Sequence, residues 1–179
     1  MTYKVMTHFN QSTWDRYGMN WLRAAKLHNL KGSVVGLDLS EEAKSKIDSF
    51  GFSYVPHNDR ERLQPPCEGN LLVTKADVLP DKLLESHEVL CSVADFNVFD
   101  LVWSITSLKD RADVIRLLRD RVIYSVNSVL GTESFWKEFA GFQDYIHSRE
   151  GFLDGNVLKE ELLFNLYLAN FNPSVGVMV

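Results

Sequence analysis

Residues 3–55 alternate between two hydrophobic periods, and this alternation constrains the fold more than any single motif in the chain. Tyr3 to His8 is a run of β-branched and aromatic residues, closed by the polar Asn10-Gln11-Ser12. A helix is expected next, with Ser12 or Thr13 as its N-cap and Trp14, Tyr17, Trp21, Ala24 and Leu27 or His28 at spacings of three and four. Ser33 to Leu37 is a buried-strand run ending at Asp38. Ser40 then caps a second helix that turns Ala43, Ile47 and Phe50 inward and stops at Gly51. Phe52 to Val55 completes a β-α-β-α-β order. Helices of this length cross over between parallel strands, almost always with a right-handed turn, so the chain predicts an α/β protein with a mostly parallel central sheet flanked by helices.

The pattern then becomes irregular. Residues 56–70 are polar and punctuated by Pro56, Pro65, Pro66 and Gly69, which reads as a loop. Thr74 and Asp77 offer a capping pair for a helix reaching Glu85. Glu88 to Ala94 is a strongly apolar strand, and Asp100 to Ile105 is expected to be another. Helices are expected from Lys109 to Asp120, from Thr132 through Phe135, Phe139, Phe142 and Ile146, and from Asp154 or Asn156 through Leu158, Leu162, Leu166 and Ala169. Arg121 to Val129 and Ser174 to Val179 read as strands. No repeat or long linker divides the 179 residues, so a single domain, 1–179, is expected.

Composition narrows the chemistry. The net charge of −5 argues against a broad basic face for nucleic acid. No run of about 18 apolar residues is present to span a membrane. Cys67 follows two prolines while Cys91 lies inside an apolar run, so neither a disulfide framework nor a CxxC metal knuckle is indicated. The opening residues lack the apolar stretch of a secretory leader, from which a cytoplasmic chain is expected.

Glycine-rich phosphate loops, GxSxG elbows and HExxH are absent. In open α/β sheets ligands gather at the carboxyl ends of the strands, which points to Thr7–Asn10, Asp38, Asp95–Asn97 and Asn127–Gly131. Asp95 leaves the most apolar strand, with Asn97 two residues on. Two oxygen-bearing side chains at that spacing suit a hard cation such as Mg²⁺ or Mn²⁺, and they equally suit an Asx-turn. Trp14, Tyr17 and Trp21 share a helix face and are expected in the core. His8 is expected to be a structural histidine at a strand end.

The order of these segments resembles the nucleotide-diphospho-sugar transferase superfamily, glycosyltransferases of the GT-A, Rossmann-like fold. V-M-T-H-F-N is similar to that family's first strand, and G-S-V-V-G-L-D-L-S-E-E-A to its second strand and helix. T-K-A-D-V-L-P-D-K-L-L-E-S-H-E-V-L-C-S-V-A-D-F-N-V-F resembles its lysine-bearing helix, strand and metal-binding DxD. V-N-S-V-L-G-T-E-S-F-W-K-E-F resembles its Asn-Ser-Gly strand, and E-E-L-L-F-N its Asp-Gln-x-x-x-Asn helix.

The resemblance implies a glycosyltransferase-like protein that moves a sugar from a nucleotide-sugar donor, with Mn²⁺ or Mg²⁺, to an acceptor the sequence does not specify. It implies that Thr7 and Asn10 lie by the base and ribose, Asp38 near the base, and Lys75 by the ribose or diphosphate. Asp95 and Asn97 would hold the cation, Asn127 would line the acceptor side, and Glu160 or Glu161 would act as base or sugar contact. Asn97 stands where the family has a second acid. Val129 stands where it has glycine, from which crowding of the sugar is expected. A non-catalytic relative that binds a nucleotide or a protein partner is the alternative these departures favour.

Overall fold

A computed structural model describes residues 3–57, 69–80, 87–103, 105, 107–149, 152 and 158–178. Its centre is a seven-stranded sheet in the order β3-β2-β1-β4-β6-β5-β7. The strands are β1 (Tyr3–Asn10), β2 (Lys31–Leu37), β3 (Ser53–Pro56), β4 (Asn70–Thr74), β5 (Val89–Val93), β6 (Tyr124–Gly131) and β7 (Val175–Val177). β3, β2, β1 and β4 are parallel, as are β5 and β7, and only β6 runs antiparallel to its neighbours β4 and β5. The expected α/β class and mostly parallel sheet are what the structure has.

Both faces of the sheet are covered, and the strands alternate accordingly. Val5, Val34, Leu72, Leu90 and Leu130 pack with Trp21, Leu22, Ile47 and Phe52 on one face. Met6, Leu71, Val73, Cys91 and Val129 pack with Phe135, Trp136, Phe139, Phe164 and Tyr167 on the other. Fully burying each such large apolar side chain contributes about 1.5–3 kcal/mol. The first face is built by α2 (Met19–Leu27) and α3 (Glu41–Ser49), the second by α6 (Glu133–His147) and α7 (Lys159–Phe171). α7 is buried from Glu161 to Ala169 because it also packs against α4 (Val98–Val102) and α5 (Leu108–Leu118). No helix among the described residues is long and apolar enough to cross a membrane.

Several local expectations change. The first helix is capped by Asn10 rather than Ser12 or Thr13. The Asn10 Oδ1 accepts from the Thr13 N–H at 2.8 Å, and the Thr13 hydroxyl oxygen accepts from the Asn10 N–H at 3.0 Å. It then runs through α1 (Gln11–Thr13) and a π-helical turn, Trp14–Gly18, into α2. That turn rotates the helix face, so Trp14 and Trp21 are buried while Tyr17 is exposed.

Asn70–Thr74 is a central strand, so Thr74 ends a strand where a helix cap was expected. The Thr74 Oγ1 accepts from the Trp21 indole N–H at 2.9 Å, and residues 75–80 form turns. The rest of that expected helix, residues 81–86, lies outside the described residues.

The strand expected from Asp100 to Ile105 is the helix α4. Asn97 Oδ1 accepts from the Phe99 N–H, and Asp100 Oδ2 accepts from the Asn97 N–H, each at 2.8 Å. This capping box starts a turn whose Val98, Leu101 and Val102 are buried at helical spacing. The caps expected at Asp154 or Asn156 lie outside the described residues. α7 ends at Asn172, whose φ of 48° is the left-handed conformation asparagine tolerates at a helix end.

Cys91 is wholly buried between β6 and β7, and burial pushes its thiol up to about 12. The thiol therefore stays protonated at pH 8. In a Cys67→Ser background, native protein is expected to resist iodoacetamide at that pH and to alkylate once unfolded. Rapid labelling of the folded chain, followed by mass spectrometry, would contradict this burial.

Candidate functional site

The β1, β2, β4 and β5 strands all point their carboxyl ends to one edge of the sheet, and a cleft of about 320 Å³ opens there. Its walls come from His8, Phe9 and Asn10 at the end of β1, Leu37 at the end of β2, and His57 just beyond β3. Thr74 to Asp77 after β4, Val126 on β6, and Thr13 and Tyr17 on the first helix complete it with Glu160 of α7. Helices dock on both faces of the sheet, so the loops leaving the strands remain at the edge as an open rim.

The strongest polar feature of the rim joins elements distant in sequence. Lys75 leaves β4, where its own N–H donates to the Asn127 carbonyl at 2.8 Å. Its Nζ donates to Glu161 Oε1 at 3.0 Å. Glu161 is 6% exposed and Lys75 is 43% exposed, so the carboxylate is enclosed while the ammonium reaches the cleft. Glu161 lies in the first turn of α7, where the helix dipole also favours a negative charge.

Asn165, one turn later, fixes this end of α7. Its Nδ2 donates to the Glu161 and Tyr124 carbonyls and its Oδ1 accepts from the Tyr124 N–H, all at 2.8 Å. The helix is thereby tied to β6 much as a neighbouring strand would be.

Of the residues implicated by sequence, Asn10, Lys75 and Glu160 line the cleft, and Glu161 joins them through Lys75. Thr7 lies below, fully buried, with its hydroxyl donating to the Thr74 carbonyl at 3.0 Å. Asp38 is exposed beyond β2 in a left-handed conformation (φ 51°), and Asn127 is exposed on β6. Asp95 and Asn97 are exposed beyond β5, outside the cleft lining. β5 lies two strands from β4, so Asp95 is offset from Lys75 by roughly 10 Å at ordinary strand spacing. Val129 is buried in the core between Val73 and Cys91, away from the rim, so it does not crowd the cleft as its position had suggested.

Asp95 and Asn97 present oxygen atoms, the donor type a hard cation takes. Asp95 offers an exposed carboxylate, whereas Asn97 Oδ1 accepts from both the Phe99 and the Asp100 N–H in its capping box, which uses both of its lone pairs. This set is all oxygen, as Mg²⁺ and Mn²⁺ require, and it is small. No cluster of three or more metal-ligating side chains occurs among the described residues. Asp95 alone of the two fits a cation, one whose remaining ligands come from a bound phosphate and water.

Tyr17, His8 and His57 also line the cleft, although the first was expected in the core and the second as a structural histidine. Tyr17 was expected in the core until the π-helical turn rotated it outward. His57 and His8 face each other edge-to-face, with ring centroids 6.0 Å apart. His57 was legible in principle, because it follows a strand on the carboxyl side.

The fold is that of GT-A glycosyltransferases. The chain matches the galactosyltransferase LgtC, crystallised in complex with donor and acceptor sugar analogs, at a TM-score of 0.61 and 10% identity, over 97% of this chain and 72% of that one. It also matches the bifunctional glycosyltransferase WbbM in its apo form, at a TM-score of 0.64 and 10% identity, over 99% of this chain. The match spans 38% of WbbM. No sequence-family model matches, and no curated protein matches by sequence.

Proposed function

We propose that the cleft binds a nucleotide-sugar donor and that the chain transfers the sugar to an acceptor hydroxyl. The observation that carries this reading is the Lys75–Glu161 pair at the cleft on a glycosyltransferase fold. An ammonium has three N–H donors, and Glu161 uses one, which leaves donors for a diphosphate. A cation placed this way is needed because the chain as a whole is acidic. Asn10, Tyr17 and His57 would bracket the base and ribose, with Thr7 and Asp38 behind them. Asn127 would face the acceptor. Glu160, at the cleft wall, would take the acceptor proton if the sugar's configuration inverts, and Glu161 would position Lys75.

Asp95 would hold Mn²⁺ or Mg²⁺, with Asn97 kept at the start of α4 by its cap. When bound, the cation would neutralise charge developing on the departing diphosphate. The second reading, a nucleotide-binding protein without transfer, draws support from the engagement of Asn97 as a helix cap. It differs in expecting nucleotide binding that ignores Mn²⁺.

Thermal unfolding with UDP, GDP or CDP, each with and without Mn²⁺, tests both. A ligand at 100 times its dissociation constant adds about 2.7 kcal/mol, a rise of roughly 5–10 °C for a chain this size. The transferase reading expects such a rise for at least one nucleotide, enlarged by Mn²⁺ and returned to the metal-free value by Asp95→Ala. No shift with any nucleotide would sink it.

A further inference from the structure

A second cavity, also of about 320 Å³, lies beside the carboxyl-terminal half of α7 at the β7 edge of the sheet and shares no lining residue with the cleft. Leu118 at the end of α5, Leu168 and Ala169 on α7, and Pro173 and Val175 after it give the cavity an apolar floor. Arg121, in the turn between α5 and β6, stands at its wall with Tyr124 and Asn172. These three side chains carry polar groups that the surrounding fold does not engage. The Arg121 guanidinium, the Tyr124 hydroxyl and the Asn172 amide make no hydrogen bond or ion pair among the described residues, and only the backbones of these residues are bonded. A guanidinium, a phenol and an amide gathered at one apolar cavity are the few polar groups a small-molecule site needs to fix an orientation.

Charge and shape select the ligand. Among the described lining residues Arg121 is the one ionised side chain. Its neighbours in the chain cancel one another, because Arg119 is paired with Asp120 and Arg116 with Asp113, each at 3.0 Å. The cavity is left with a single positive charge. One planar guanidinium fork matches one carboxylate through two parallel hydrogen bonds. A phosphate dianion would bring a second charge that no second cation in the lining meets. The carboxyl end of α7 adds partial negative charge at the Ala169 and Asn172 wall, which disfavours an anion there. The carboxylate therefore belongs at Arg121 and the apolar body against α7.

We propose that this cavity binds a small monocarboxylate with a hydrocarbon body, its carboxylate on Arg121, its polar end steadied by Tyr124 and Asn172, and its body over Leu168, Ala169 and Val175. Such a ligand bridges the turn between α5 and β6 to the end of α7. The inference is independent of what the cleft binds.

The probe is octanoate, titrated into the whole chain and followed by calorimetry and by backbone amide shifts. Saturable binding is expected, with movement of the Tyr124, Asn165 and Asn172 amides and none of the His57 and Lys75 amides in the cleft. Octanol keeps the body without the charge, and acetate and inorganic phosphate keep a charge without the body. Each should bind about tenfold more weakly or worse. Arg121→Gln, at an exposed position that leaves the core intact, should weaken octanoate about tenfold or more with the Tm of the free protein unchanged. Lys75→Ala should bind octanoate as wild type does. No saturable binding, or equal binding of octanol or by Arg121→Gln, would overturn the proposal. So would loss of binding in Lys75→Ala, since that assigns the ligand to the cleft.

Discussion

Lys75→Ala is expected to weaken nucleotide binding at least tenfold and to lower folding stability by about 1–2 kcal/mol. The two losses have different causes and can be separated. Binding falls because the ammonium that reaches the cleft is gone, and an acidic chain offers a diphosphate little else. Stability falls because Glu161, 6% exposed, is left as an enclosed carboxylate without its cation. Breaking a fully buried pair costs about 3–5 kcal/mol, but Lys75 is half in solvent and the α7 dipole still favours the carboxylate, so the smaller figure applies.

Adding Glu161→Gln to Lys75→Ala should therefore recover most of the stability and none of the binding. Chemical denaturation and nucleotide titration on the same four proteins close the cycle. Equal nucleotide affinity in wild type and Lys75→Ala would remove Lys75 from the site.

Asn165→Ala is expected to cost about 3 kcal/mol, the largest stability loss expected of a polar side chain in this fold. Asn165 is 2% exposed, and its truncation leaves the Tyr124 N–H and carbonyl without the partners they have now, besides opening a void beneath α7. The urea midpoint should fall with little change in slope. Asn165→Asp is a sharper probe because it keeps the shape. Its carboxylate would face the Tyr124 and Glu161 carbonyls, which favours the protonated form and raises its folded pKa above the unfolded value. An acid raised in this way loses stability as pH rises, so Asn165→Asp should be further below wild type at pH 8 than at pH 5. A midpoint within experimental error of wild type would mean that α7 is held without this tie.

The parts of the fold legible in the sequence were those written in short-range periods. Val34, Val35 and Leu37 announce a strand by themselves, and Ala43 and Ile47 a helix, because each pattern repeats within a few residues. β4 is not legible in the sequence because Asn70–Thr74 is short and abuts a proline-rich loop. Its central place depends on partners Val5 and Leu130, far away in the chain. α4 reads as a strand because Leu101, Val102, Trp103 and Ile105 look like strand residues, and the capping box that decides otherwise occupies only Asn97 and Asp100.

The site divides in the same way. Candidate polar residues could be found from the rule that ligands gather where strands end, and Asn10 and Lys75 do lie in the cleft. Their partners could not. Lys75 and Glu161 are 86 residues apart, and no local pattern links them.

The sequence by itself determined a two-sided, mostly parallel sheet, because hydrophobic period is a local property and each covered face must appear in it. Only the tertiary structure decided that Lys75 meets Glu161, that Tyr17 turns to the cleft while Val129 turns to the core, and that Asp95 stands two strands from Lys75. Those outcomes depend on strand order and helix docking, where contacts between distant segments choose among arrangements that local pattern leaves equal.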